Sequence, residues 1–187
     1  MKKIVVIAAL LITGAASQAQ VKFGVKAGAN LANVSGDDVE GTDMKIGFHV
    51  GGLAEIPVST MFSVKPEVVF SNQGWKEDDG KVNLAYLNIP VLLQYNNPSG
   101  FYAETGPQIG FLMSAKAKPD DGDDVDIKDL FKTTDFSWAF GAGFKTKSGF
   151  GFGARYNFGL SDIIEDAKAK NSVIALGVFY TFGGEKK

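Results

Sequence analysis

Residues 84–95 read LAYLNIPVLLQY. Taken in steps of two, Ala85, Leu87, Ile89, Val91, Leu93 and Tyr95 share one face, and all are apolar or aromatic. Leu84, Tyr86, Asn88, Pro90, Leu92 and Gln94 share the other face, which is mixed. Because the apolar residues alternate instead of recurring at three and four, the stretch reads as a strand and not as a helix. Strands of soluble proteins typically run about 5–6 residues, whereas a tilted strand needs roughly 9–11 to cross a bilayer. This stretch is of the second length. A continuous greasy face backed by a mixed one is the pattern of a membrane barrel, with lipid outside and a small polar lumen inside.

Seven further segments repeat the design, at about 21–32, 45–57, 61–72, 101–114, 135–146, 150–160 and 172–182. The last is the least polar on its inner side and is assigned partly by position. The connections alternate in length. Those at 57–60, 96–100 and 147–149 are short, and those at 33–44, 73–81, 115–134 and 161–171 are long. The expectation is an all-β fold, an eight-stranded antiparallel up-and-down transmembrane β-barrel. In outer-membrane barrels the short turns face the periplasm and the long loops the exterior, and an even strand count puts both termini on the periplasmic side. A soluble barrel would invert the pattern, apolar within and polar without. Aromatic residues gather toward both strand ends, as at the two membrane interfaces. Segments 127–132 and 162–170 are expected to form short helical turns within the loops.

The chain has 187 residues, enough for one domain. Residues 1–19 read as a secretory signal peptide: Lys2 and Lys3, an apolar stretch from Ile4 to Ile12, and the small pair Ser17 and Ala19 before the cleavage point. Residues 20–187 are then the barrel domain. Without Lys2 and Lys3 the chain carries 17 basic and 21 acidic residues, which does not suggest nucleic acid as a partner. There is no cysteine, so neither a disulfide framework nor a lipid on an N-terminal cysteine is possible. Many of the 23 glycines fall on inner faces, where a narrow eight-stranded barrel needs room for long side chains opposite.

No catalytic, cofactor or metal site emerges. His49 is the single histidine and faces inward, and no G-x-S-x-G elbow accompanies it. Glycine-rich runs such as GFGFG at 149–153 lack the following helix and Lys-Ser/Thr pair of a phosphate loop. The four long loops hold 16 acidic residues and eight lysines. They read as a solvated anionic surface. A narrower alternative is Ca²⁺ capture by clustered carboxylates at 119–126, although the spacing is not that of an EF-hand.

Two groups of residues stand out. Lys26, Lys65 and Arg155 point inward, as do Glu55, Glu67 and Glu104, all near the short-turn end of their strands. Buried charges are costly unless paired, so the six are expected to form a cross-lumen charge network that plugs the barrel. Val178, Tyr180 and Phe182 form an outward stripe at the end of the last strand, resembling the C-terminal signal read by the barrel-insertion machinery. Pro66, Pro90 and Pro107 fall mid-strand on three consecutive strands. Proline cannot donate to a ladder and normally marks edges or bulges, so they read either as three separate bulges or as one dented band with Asn88, Glu104 or Gln108 supplying lost partners.

Three runs together, YLNIPVLLQY at 86–95, KPEVVFSNQGW at 65–75 and ARYNFGLSDI at 154–163, resemble the outer-membrane β-barrel domain family of Bacteroidetes-type bacteria often called PorT-like. The resemblance covers essentially the whole mature chain and implies an eight-stranded outer-membrane barrel. It implies no chemistry. The expected function is a small barrel with an envelope or loop-mediated interaction role, its partners being outer-membrane lipid and, during assembly, the insertion machinery. An active barrel (a small-solute channel or a lipid-modifying enzyme) and a secretion accessory of PorT type are the alternatives.

Overall fold

Each long run of alternating residues forms one strand of a closed antiparallel sheet in the computed structural model, which describes residues 21–36, 39, 41–77, 80–119, 122–165 and 167–183. The signal peptide expected at 1–19 lies outside the described residues. So do Asp37, Asp38, Glu40, Asp78, Asp79, Asp120, Asp121 and Asp166 of the acidic loops. The strands are β1 Lys22–Ser35, β2 Asp43–Pro57, β3 Phe62–Glu77, β4 Gly80–Asn96, β5 Phe101–Pro119, β6 Val125–Asp126, β7 Thr134–Lys145, β8 Phe150–Gly159 and β9 Lys170–Thr181. Eight of these are long and make the wall; β6 is a two-residue addition to the loop end of β5. Sequential strands pair, β4 pairs with β5, and β5 pairs with β7. The first and last strands close the cylinder, in register from Gly24 opposite Thr181 to Ser35 opposite Lys170.

Closure decides which face each residue takes. Phe23, Ile46, Phe48, Val68, Phe101, Phe136, Phe140, Phe152 and Phe182 all lie on the outer wall, each more than half exposed. In water such a surface would drive association; in lipid it is the solvated side. Inside lie Asn30, His49, Glu67, Ser71, Asn88, Gln94, Glu104 and Arg155, all buried.

Three expectations about the wall need correction. The strands run past the limits set by hydropathy. The segment 73–81 is no loop, because β3 and β4 stay paired up to Glu77 opposite Gly80. Backbone pairing does not require apolar side chains, so hydropathy marks where the lipid ends and not where the sheet ends. Second, one 3₁₀ turn at Lys128–Leu130 forms within 127–132. Residues 162–170 show no helix among those described; Ile164 instead bridges to Phe131. Third, the prolines are not bulges. The register shifts lie elsewhere, between Met44 and His49 on β2 and between Ala85 and Tyr86 on β4.

At the prolines the register is kept while pairing lapses. On β3–β4 the lapse falls between Pro66 opposite Val91 and Val69 opposite Asn88. On β4–β5 it falls between Pro90 opposite Gln108 and Leu93 opposite Thr105. Pro66 thus borders Pro90, and Pro90 borders Pro107, in one line across the wall. Of the three expected replacement partners, Gln108 donates to Ser137 Oγ at 3.0 Å and Glu104 binds cations, so neither serves the lapse.

Where β1 meets β9, Gly28 stands opposite both His49 and Gly177. A Cβ on Gly28 would lie 2.1 Å from the backbone oxygen of Leu176 and 2.6 Å from the His49 ring. The seam therefore closes only around a residue without a side chain. Gly28→Val is expected to remove most of the compact, heat-modifiable species on a cold denaturing gel after refolding, while Gly52→Ala, whose Cβ would meet only the Gly24 carbonyl at 3.8 Å, leaves it intact.

Candidate functional site: the lumen and its two ends

The inward side chains fall into layers. Nearest the short turns, Lys145 Nζ donates to both oxygens of Glu55 at 2.7 Å. These residues sit on β7 and β2, four strands apart in the ring of eight, so the pair spans the full diameter. Beneath it an open vestibule of about 260 Å³ faces the turns.

The next layer is a denser set of charges. Arg155 on β8 is the only arginine in the sequence. Its Nη1 and Nη2 each donate to one oxygen of Glu67 on β3 at 2.8 Å, the fork-to-fork geometry that suits guanidinium and carboxylate. Its Nε and Nη2 also donate to Glu104 Oε1 on β5, at 2.8 and 2.6 Å. Strands β3 and β8 are again diametrically opposed. Lys26 Nζ donates to Glu67 Oε2 at 2.8 Å. Lys65 Nζ donates to Glu104 Oε2 and lies 3.6 Å from Glu67 Oε1. The same ammonium sits 5.3 Å from the ring centres of both Tyr102 and Phe179, close enough for cation–π attraction. The Glu67 side chain has no exposed area at all. Between these groups remains about 30 Å³, room for one or two waters.

The structure thus brings together five of the six charges singled out by the sequence. Glu55 is the exception. Leu53, not Glu55, stands opposite Glu67 in the β2–β3 register, so Glu55 lies two residues nearer the turns, level with Lys22. There it meets Lys145, a residue the sequence places on the inner face without giving it a partner.

Above the charges is a neutral polar layer. His49 Nδ1 donates to Asn30 Oδ1 at 2.9 Å, and Asn30 Nδ2 donates to Ser71 Oγ at 2.9 Å. Toward the loops, Asn171 Nδ2 and Ser161 Oγ donate to the Asp135 carboxylate at 2.9 and 3.1 Å. His49 is therefore oriented by an amide and by no carboxylate.

The loop end is closed differently. Val34, Trp75, Val82, Leu84, Tyr86, Leu112 and Ala115 from the wall pack with Phe131, Ile163 and Ala169 from the two longest loops. The Trp75 and Phe131 rings are 6.1 Å apart. Backbone bonds tie the loops together, Lys132 N donating to Ile163 O at 2.8 Å and Glu165 N to Leu130 O at 3.2 Å. Nothing in the sequence reading pointed to this apolar cap. Its signal was the isolated Phe131, Ile163 and Ile164 inside loops otherwise rich in Asp and Lys.

Among the described residues no group of three or more His, Cys, Asp or Glu side chains is placed to hold a metal. In the 119–126 segment proposed for Ca²⁺, Asp124 pairs with Lys118 at 2.6 Å and Asp126 Oδ1 accepts from Lys128 N at 3.0 Å. Asp120 and Asp121 are outside the described residues. Val178, Tyr180 and Phe182 point outward, the last two with ring centres 5.5 Å apart.

The model of a family described as outer membrane protein beta-barrel domain matches residues 16–165. No curated protein matches the chain in sequence. Among solved structures, the chain is similar to Neisserial surface protein A, with a TM-score of 0.60 and 15% identity over 87% of this chain and 99% of that one. It is also similar to Ail, the attachment invasion locus protein of Yersinia pestis, with a TM-score of 0.51 and 18% identity over 87% and 99%. A second Ail structure, in complex with the heparin analogue sucrose octasulfate, matches at 0.52 and 19%.

The charge layer sets a stability expectation. Removing one member of a buried ion pair costs about 3–5 kcal/mol, because the survivor is left unpaired. Arg155→Ala, which takes the bidentate partner from Glu67 and two donors from Glu104 and leaves each with lysines alone, should lower the urea unfolding midpoint well below that of wild type. Lys128→Ala, at an exposed loop position, should leave it nearly unchanged. Equal midpoints for the two variants would count against the network.

Proposed function

Because the chain belongs to the outer membrane β-barrel domain family, we propose that it is a non-conducting, non-catalytic barrel of the outer membrane. Its lumen is plugged, and its long loops meet the outside. One observation carries the reading: Arg155 spans the barrel to Glu67 while Glu104, Lys65 and Lys26 fill the remaining width. The apolar cap of Trp75, Phe131 and Ile163 supports it from the loop end. An eight-stranded barrel has an interior just wide enough for side chains, and here they are tied to one another. His49 is held by Asn30, which suits a structural role better than a catalytic one.

The plug is tested in planar bilayers. Wild-type protein should give no steady conductance. A steady, ion-selective current would overturn the plug and favour the small-solute channel instead.

The loops differ in chemistry from a polyanion site. Ail was solved with sucrose octasulfate, but the loop end here, residues 33–44, 73–81, 115–134 and 161–171, carries 16 acids against eight lysines. A cationic or neutral surface suits their tips better. The lengths of the connections support a periplasmic side for the short turns and both termini. The family match, over residues 16–165, is to an outer membrane barrel domain and brings no secretion role of PorT type with it.

During assembly the partner is the barrel-insertion machinery, which reads the outward stripe Val178, Tyr180 and Phe182. Phe182→Ala should reduce the amount of folded protein recovered from outer membranes several-fold without changing refolding in detergent. Normal levels in the membrane would make the stripe a lipid-facing girdle only.

A further inference from the structure

On the outer wall of β3, β4 and β5 the last full apolar row is Phe70, Leu87 and Phe111, side by side in the register, with Met113 exposed beyond it at the β4–β5 register shift. Next toward the loops comes Asn72, Ala85 and Ser114, then Gly74, Asn83 and Lys116, then Lys76, Lys81 and Lys118. Three lysines therefore occupy directly opposed positions on neighbouring strands, with a fourth one row nearer the lipid. Like charges directly opposite one another destabilise a sheet. Lys118 is relieved by Asp124, but Lys76, Lys81 and Lys116 have no ion pair among the described residues. Asp43 stands opposite Lys76, and Asp126 opposite Lys116, at the two margins. Lys81 at the centre has lysines on both sides. Asp78 and Asp79, at the tip of the same hairpin, lie outside the described residues.

Three of these lysines, Lys81, Lys116 and Lys118, rim an open depression that Asn72, Asn83, Ala85, Ser114 and the Lys118-paired Asp124 also line. The side-chain amide nitrogen of Asn83 has no hydrogen-bond partner there. The depth of the patch points to its occupant. It lies on the outer face of the wall above the apolar band, with its top lysine row three rows beyond Phe70, Leu87 and Phe111, at the level of headgroups and not of acyl chains. Neighbouring strands are about 4.7–4.9 Å apart, so the outer lysines of the top row stand roughly 10 Å apart.

We propose that this lysine row is a binding site for the phosphorylated headgroup of a membrane lipid, best matched by one with two phosphates. The family membership places the site in the outer membrane. Only the choice of leaflet rests on the loops facing outward, and protease shaving of whole cells decides that separately.

The test is native mass spectrometry of the full mature chain in detergent, offered diphosphoryl lipid A or the same lipid with its phosphates removed. Wild type should retain the phosphorylated form in clear preference. Each lysine near a membrane surface contributes about fivefold in affinity for anionic lipid, so Lys81→Gln should weaken retention by roughly that factor. The combined K76Q/K81Q/K116Q/K118Q variant should fall to the level of the dephosphorylated lipid. If that variant fails to give a heat-modifiable band, Lys81→Gln alone carries the comparison. Equal retention of the two lipids by wild type would overturn the proposal, as would unchanged retention in the folded variants. Inorganic phosphate should not displace the lipid at equal concentration; if it does, the patch is a soluble-anion site and the lipid assignment fails.

Discussion

Inside a bilayer no water takes up an unpaired peptide group, and each one left open costs several kcal/mol. That constraint is met here by the ladder between β1 and β9, which turns a sheet into a cylinder without edges. Once the cylinder closes, every side chain has one of two fates, lipid or lumen, and the period-two pattern decides which. The outer wall can then be greasy throughout. The lumen inherits whatever the alternate residues bring, including charges that could not stand alone. Gly28, Gly177 and the other small inner residues leave room for them on one side of the barrel while the long side chains reach across from the other.

The wall was legible in the sequence for that reason. Alternation in 84–95 is strict because both faces are under pressure at every position, and the same holds for 101–112 and 150–158. Legibility fails where the pressure lifts. Above the lipid, β3 and β4 continue through Asn72, Gln73, Gly74 and Lys76 with no hydropathic contrast, and the sheet outruns its sequence signature. The lumen was legible by sign but not by level. Hydropathy shows that Glu55, Glu67 and Glu104 face inward, yet their depth depends on the inter-strand register, which one residue pattern does not contain. Two residues of offset move Glu55 from the Arg155 layer to Lys145. The apolar cap was illegible for a third reason. Phe131 and Ile163 meet Trp75 only through loops of irregular path, where no period exists to reveal a buried face.

The lumen is graded along its axis. Charges paired across the diameter occupy the turn side, amides and hydroxyls the middle, and apolar side chains the loop side. Each layer solves the same problem with different chemistry. The cations outnumber the anions in the central layer, three to two, and the faces of Tyr102 and Phe179 beside Lys65 absorb part of the imbalance. In this family fold, interior composition sets what the barrel can do, since the exterior is constrained by lipid alone.

The line of prolines makes the cylinder mechanically uneven. Around the arc from β5 through β7, β8 and β9 to β1 and on to β2 the ladders run without interruption along the membrane-crossing stretch. From β2 to β5 the ladders lapse beside Pro66, Pro90 and Pro107. A hoop with one soft sector does not flex as a circle. With fewer cross-strand hydrogen bonds to stretch, that sector is the part of the hoop that resists bending least.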